Sequence, residues 1–294
     1  MFAPGVTFIT LLPFILLLVA VLGLWIHRAV WISVLTAAVA AGYHTDALQG
    51  AAALWIAVLA ALAFLFARVK ARPMGGIAQV AAGLAFFLFA LVMGLALLPG
   101  FPRTVVVGSV VLSPGALPYS LGLGFPKVVG GIFVLGLIHE IRVRSWRELR
   151  EVLKRTAPAF ALTIVAVMIC ALVLGYVRFD AKWTSLFLIW ALANLFFTCL
   201  SEEAFFRSFL QHELARIGPN RQLAGVVALV IAAVLFGLVH FGGGWKYALA
   251  ATIAGLGYGW AYHRTQRVEA AMTVHFGLNA THFLLFTYPA LANS

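Results

Sequence analysis

Two of the nine acidic residues in this 294-residue chain are adjacent, Glu202 and Glu203, in the run FFTCLSEEAFFRSFLQ. On a helix, Glu203 and Arg207 stand four residues apart and share a face, whereas Glu202 points about 100° away from Glu203. One carboxylate is thus neutralised by its own arginine and the other is left for a different neighbour. That division suits one structural and one reactive carboxylate. A second feature, FGLVH (Phe236 to His240), closes an apolar run and is followed by Gly242–Gly244. A third, HFGLN (His275 to Asn279), opens the last apolar run, with His282 continuing the polar stripe. Ionisable side chains in apolar helices are costly and mark functional sites by default. Each feature also has a plain structural reading: a salt bridge at a helix end, a histidine reaching the membrane surface, and hydrogen bonds that hold helices together.

The elements that must carry these residues follow from composition. The chain is 64% hydrophobic and 10% charged, against about 45–50% and about 25% for a soluble domain. Soluble, disordered and disulfide-scaffold classes are excluded, leaving a multi-pass membrane protein with at most about nine full spans. Apolar runs mark helices near 6–26, 29–43, 47–67, 77–98, 128–141, 159–177, 183–200, 223–241, 246–263 and 269–289. The runs do not alternate as barrel strands would, and backbone groups in lipid must pair within their own segment. The expected fold class is therefore all-α, a polytopic bundle of eight to ten membrane helices with a cavity inside the membrane. Cys170 and Cys199 fall within apolar runs and read as packing residues. The N-terminus lacks a basic region and reads as a retained first helix.

The net charge of +11 is distributed as the positive-inside rule requires, so no nucleic-acid partner is expected. With loops 27–28, 68–76, 142–158 and 264–268 and segment 201–222 in the cytoplasm, fifteen basic residues lie inside and five outside: Arg103, Lys127, Arg178, Lys182 and Lys246. Both termini are then outside. Segment 99–127, rich in Pro and Gly with a β-branched run at Val105–Val107, reads as an external loop or re-entrant hairpin. Segment 142–155 reads as an amphipathic helix on the cytoplasmic face. A soft boundary near residue 156 separates an N-terminal helical block, 1–156, from a C-terminal block, 157–294, that holds the chemistry.

Taken together, Glu202-Glu203-Ala-Phe-Phe-Arg207, Phe236-Gly-Leu-Val-His240 and His275-Phe-Gly-Leu-Asn279 resemble the CPBP family. That family comprises the type II CAAX prenyl endopeptidases and the bacteriocin-processing or immunity-type (Abi-like) membrane proteins. The resemblance covers roughly residues 157–289 and leaves the first 150 unassigned. It implies an intramembrane endopeptidase acting on a membrane-associated peptide or protein, in a cavity open to the cytoplasm. Glu202 would be the general base for a water molecule, and His240 would hold the same water. Asn279 would donate to the oxyanion, with His275 beside it. Glu203 paired with Arg207 would fix the helix. The expected location is a bacterial inner (plasma) membrane.

No cofactor is expected, although zinc is conceivable on Glu202, His240 and His275, since such ions take imidazole and carboxylate ligands. The His-Glu-x-x-His zinc helix is absent, and Arg207 already claims Glu203. Two other functions compete with the protease: a non-catalytic scaffold or immunity-type protein binding a peptide in the same cavity, and a transporter using the glutamates as a proton relay. One tension is visible in advance. His240 ends its helix at the outer side while His275 begins its own at the inner side, a mismatch of more than about 10 Å at 1.5 Å per residue.

Overall fold

The computed structural model describes residues 2–72, 76–217 and 220–293, so Pro73–Gly75 and Gly218–Pro219, parts of two expected basic loops, lie outside the described residues. Ten helical rods follow one another: α1 (Phe8–Gly23), α2 (Arg28–His44), α3 (Ala52–Lys70), α4 (Gly76–Gly94), α5 (Phe125–Ile138), α6 (Trp146–Val173), α7 (Phe187–Leu214), α8 (Arg221–Val239), α9 (Trp245–Thr265) and α10 (Val268–Leu285). Five of them, α3, α4, α6, α7 and α8, are long and apolar enough to cross a bilayer. Leucine, isoleucine and valine side chains such as Leu84, Leu88, Val165, Ile169, Val230 and Val234 stay exposed on their outer faces, as a lipid-facing surface demands. The protein is an integral, multi-pass, all-α membrane bundle.

Local sequence sets the helix ends. Thr7 and Thr10 form a reciprocal cap on α1, and the Asn220 side chain accepts from the Gln222 and Leu223 amides at the start of α8. Such caps satisfy amides that have no partner within the helix. Ser145 caps α6 by accepting from the Glu148 amide.

Two expectations are corrected. The charged segment 142–155 and the apolar run 159–177 are not two helices but one, because α6 continues through residue 156 and past Pro158. The run 183–200 does not end before the glutamates: α7 carries Glu202, Glu203 and Arg207 inside a single rod. Arg207 is therefore fully buried rather than a loop charge, which leaves fourteen basic residues on the loop side. Segment 99–127 contains an antiparallel pair, β1 (Thr104–Val110) and β2 (Tyr119–Leu123), with irregular register near Val107. The β-branched run at Val105–Val107 forms its first strand, the conformation such side chains favour.

Long-range bonds sort the chain into two ends. At the hairpin end, Ala3 bonds Val106, Gln49 bonds Gly100, Leu117 bonds Ala290 and Thr287 bonds Arg178 through backbone groups. At the opposite end, the Trp25 indole and the Val143 amide both donate to Glu269, at 2.7 and 2.9 Å. There Lys70 pairs with Glu213 at 2.8 Å and Arg267 with Glu148 at 2.6 Å. The fourteen basic residues belong to that second end, as the loop assignment required. Gly131 of α5 sits against α7, where an added Cβ would come within 3.1 Å of Ser201 Cα. That close approach lets the N-terminal block touch the glutamate-bearing helix.

Candidate active site

Helix α7 departs from regular α geometry on both sides of its glutamates. Wider turns run over Asn194–Cys199 and Ala204–Gln211; the Leu200 amide reaches the Leu195 carbonyl, five residues back. Such insertions recur at functional sites because they re-aim side chains without ending the helix. Here both glutamates face the interior, Glu202 being 9% exposed and Glu203 fully buried.

The two carboxylates have separate partners. Glu203 Oε2 accepts from Arg207 Nε at 3.0 Å, and its Oε1 lies 2.7 Å from His275 Nδ1. The Arg207 guanidinium lies 5.4 Å from the Phe236 ring centre and 5.9 Å from that of Tyr258. An aromatic cage of this kind stabilises a desolvated cation. Glu202 Oε2 instead lies 3.9 Å from His240 Nε2. The other nitrogen of His240, Nδ1, is 2.6 Å from the Phe236 carbonyl. A carbonyl can only accept, so Nδ1 carries the proton, and in the neutral ring Nε2 presents a lone pair toward Glu202.

The two imidazoles, expected at different depths, both lie against Phe236, whose ring is 4.5 Å from the His240 ring and 5.9 Å from the His275 ring. Adjacent residues of α7 serve one histidine each. His275 is further fixed by Tyr258, whose ring stacks on it at 4.4 Å. One turn along α10, Asn279 Nδ2 donates to Asn194 Oδ1 at 3.2 Å, and Cys199 Sγ donates to the same Asn194 oxygen at 3.3 Å. His282, the next member of the stripe, turns its Nε2 to the Thr287 carbonyl at 3.1 Å.

Glu202, His240, His275 and Asn279 line one cavity of about 570 Å³, within the usual range for ligand sites. Glu203 and Arg207, fully buried and further along α7, are outside its lining. A side pocket of about 180 Å³, bounded by Leu91, Leu95, Phe205 and Val239, also reaches Glu202 and His240. The main cavity is walled by Arg103, β2, Tyr176, Tyr247 and Tyr288, all toward the hairpin end. The opening therefore does not lie at the basic-loop end, where it was expected.

The sequence reading missed Lys127. Its ammonium lies 2.9 Å from Glu202 Oε1, and it comes from α5, 75 residues upstream. It also missed Asn194 and Tyr258, which stand apart from every motif, and Cys199, which it read as a packing residue. A single group of three metal-ligating side chains comes together among the described residues, His139, His212 and Glu213. There Lys70 already pairs with Glu213 at 2.8 Å and sits 3.2 Å from His139 Nδ1.

Fold and site together define a multi-pass membrane protein with a polar, carboxylate-bearing cavity enclosed by its helices. Residues 182–281 match the family described as type II CAAX prenyl endopeptidase Rce1-like. That match agrees with the family that the three motifs resemble. No curated protein and no solved structure matches the chain.

Proposed function

We propose that the protein is an intramembrane endopeptidase in which Glu202 activates the water that cleaves a peptide bond of a membrane-associated polypeptide. The observation that carries this reading is the 3.9 Å spacing of Glu202 Oε2 and His240 Nε2 in the wall of a cavity large enough for a peptide. That spacing is too long for a direct hydrogen bond, but one water oxygen about 2.8 Å from each would close the triangle. Such a water donates one hydrogen to the carboxylate and the other to the imidazole, leaving a lone pair free to attack. Its oxygen bonds to the scissile carbonyl carbon while Glu202 takes a proton. The carbonyl oxygen becomes an oxyanion, stabilised by the Asn279 N–H that otherwise makes a long 3.9 Å contact to Cys199 Sγ. On collapse of the intermediate the C–N bond breaks, and Glu202 returns the proton to the leaving amine.

We propose that this step is independent of metal. The donor set does not fit zinc, because both carboxylates already face cations, Lys127 on Glu202 and Arg207 on Glu203. Sustained cleavage in the presence of a strong chelator supports this, and loss of cleavage restored by zinc rejects it. The proposed location is the inner membrane of a bacterial cell, with the fourteen basic residues on the cytoplasmic side.

The test is a comparison of membrane proteomes from cells carrying the wild type or the Glu202→Ala, His240→Ala or Asn279→Ala variants. A protein or peptide cut only in the wild type is expected. If all three variants, inserted at wild-type levels, leave processing unchanged, the protease reading fails.

A further inference from the structure

We infer that this cavity receives its substrate from the non-cytoplasmic side, so that the polypeptide cut is one whose scissile segment has been translocated or faces outward. The inference rests on the protease reading of the site for its substrate, but its direction rests on geometry and charge alone. Fourteen of the twenty basic residues lie at one end of the bundle, five at the other and one, Arg207, is buried between. Short loops retain lysine and arginine on the cytoplasmic side, so the hairpin end is the outer one. An even number of rods agrees with this: Ala3 and Ala292 both bond to the hairpin region, through Val106 and Gly115.

The cavity belongs to that outer end. Its walls include Arg103 and Tyr119 of the hairpin region, Lys127 at the first turn of α5, and Tyr288 beyond α10. On α7, α9 and α10 its lining residues nearest the basic end are Glu202, Tyr258 and His275. Below them the route toward the basic end is filled by Glu203, Arg207 and Gln211, each no more than 2% exposed, and by Tyr262, which holds His212 at 2.9 Å. A chain entering from the cytoplasm would have to break the buried Glu203–Arg207 pair. From the outer end it meets Arg103, which favours an anionic group on the incoming segment.

Labelling of single-cysteine additions in intact cells with a membrane-impermeant maleimide tests the direction, with the wild type reporting the background from Cys170 and Cys199. Ser120→Cys, at the mouth, is expected to label in intact cells. Glu140→Cys, at the basic end, is expected to label at least tenfold more after permeabilisation than before. The reverse pattern overturns the inference. Peptide cleavage by the wild type in detergent micelles, where both ends are accessible, separates the two claims. Cleavage with reversed labelling leaves the protease and removes the direction; the expected labelling with no cleavage of the peptide pool, and none lost in Glu202→Ala, removes the protease and leaves the direction.

Discussion

Lys127 Nζ lies 2.9 Å from Glu202 Oε1, so the carboxylate proposed as general base is gripped by a residue outside the segment that matches the protease family. The lysine orients one oxygen of Glu202 and leaves the other toward His240. Lys127→Met is expected to lower kcat by up to about 100-fold, the cost of misplacing a reacting group by about 1 Å, with a smaller change in KM. Lys127→Arg is expected to recover part of the loss. Steady-state cleavage by purified protein checks this; an unchanged kcat in Lys127→Met removes the positioning role.

Gly130 lines the side pocket beside Glu202, and an added Cβ there would meet nothing within 4 Å. A larger side chain at this position fills space rather than pushing backbone apart. Gly130→Leu is expected to insert and fold normally. It is also expected to cut cleavage of substrates with a bulky apolar residue near the scissile bond by about tenfold, a single-pocket loss of about 1–3 kcal/mol. Substrates with a small residue there should be spared. Equal loss for both classes would show that the pocket does not select.

Arg207 and Glu203 are both fully buried and bonded at 3.0 Å. Removing one partner strands a charge in a dry interior. Arg207→Ala is expected to destabilise the protein by about 3–5 kcal/mol, read as a fall in thermal unfolding temperature in detergent. The double variant Arg207→Met with Glu203→Gln should recover part of that stability while cleavage stays low, because His275 loses its anionic partner. Arg207→Ala unfolding at the wild-type temperature would contradict the pair's structural role.

His139 sits just beyond the end of α5, 6% exposed, with Nε2 2.9 Å from Glu213. Burial pushes its imidazole below the ordinary range, against the pull of the Glu213 hydrogen bond. The unfolded chain takes up this proton below about pH 6.5, whereas the folded protein resists it to lower pH. The unfolded state then binds more protons, so this contribution is present above about pH 6.5 and is lost as pH falls. His139→Gln is expected to lower the unfolding temperature at pH 7.5, with the gap to wild type narrowing at pH 5. A gap that does not change between the two pH values would exclude the titration.

Several features were fixed by local sequence. Apolar run length and the need to pair backbone groups in lipid determined the helices, and the loop charges determined which ends lie together. The i, i+4 spacing of Glu203 and Arg207 determined their pairing, because that contact depends only on helix geometry. The three motifs identified the domain and its candidate residues. Tertiary structure alone decided what surrounds them. The Lys127–Glu202 contact spans 75 residues, and the stacking of Tyr258 on His275 joins two helices; no periodicity encodes such meetings. The continuity of α6 through Pro158, the wide turns that aim both glutamates inward and the hairpin-end walls of the cavity depend on how helices pack around one another. Packing is a property of surfaces that the chain brings together only on folding, so these features were not legible in the order of its residues.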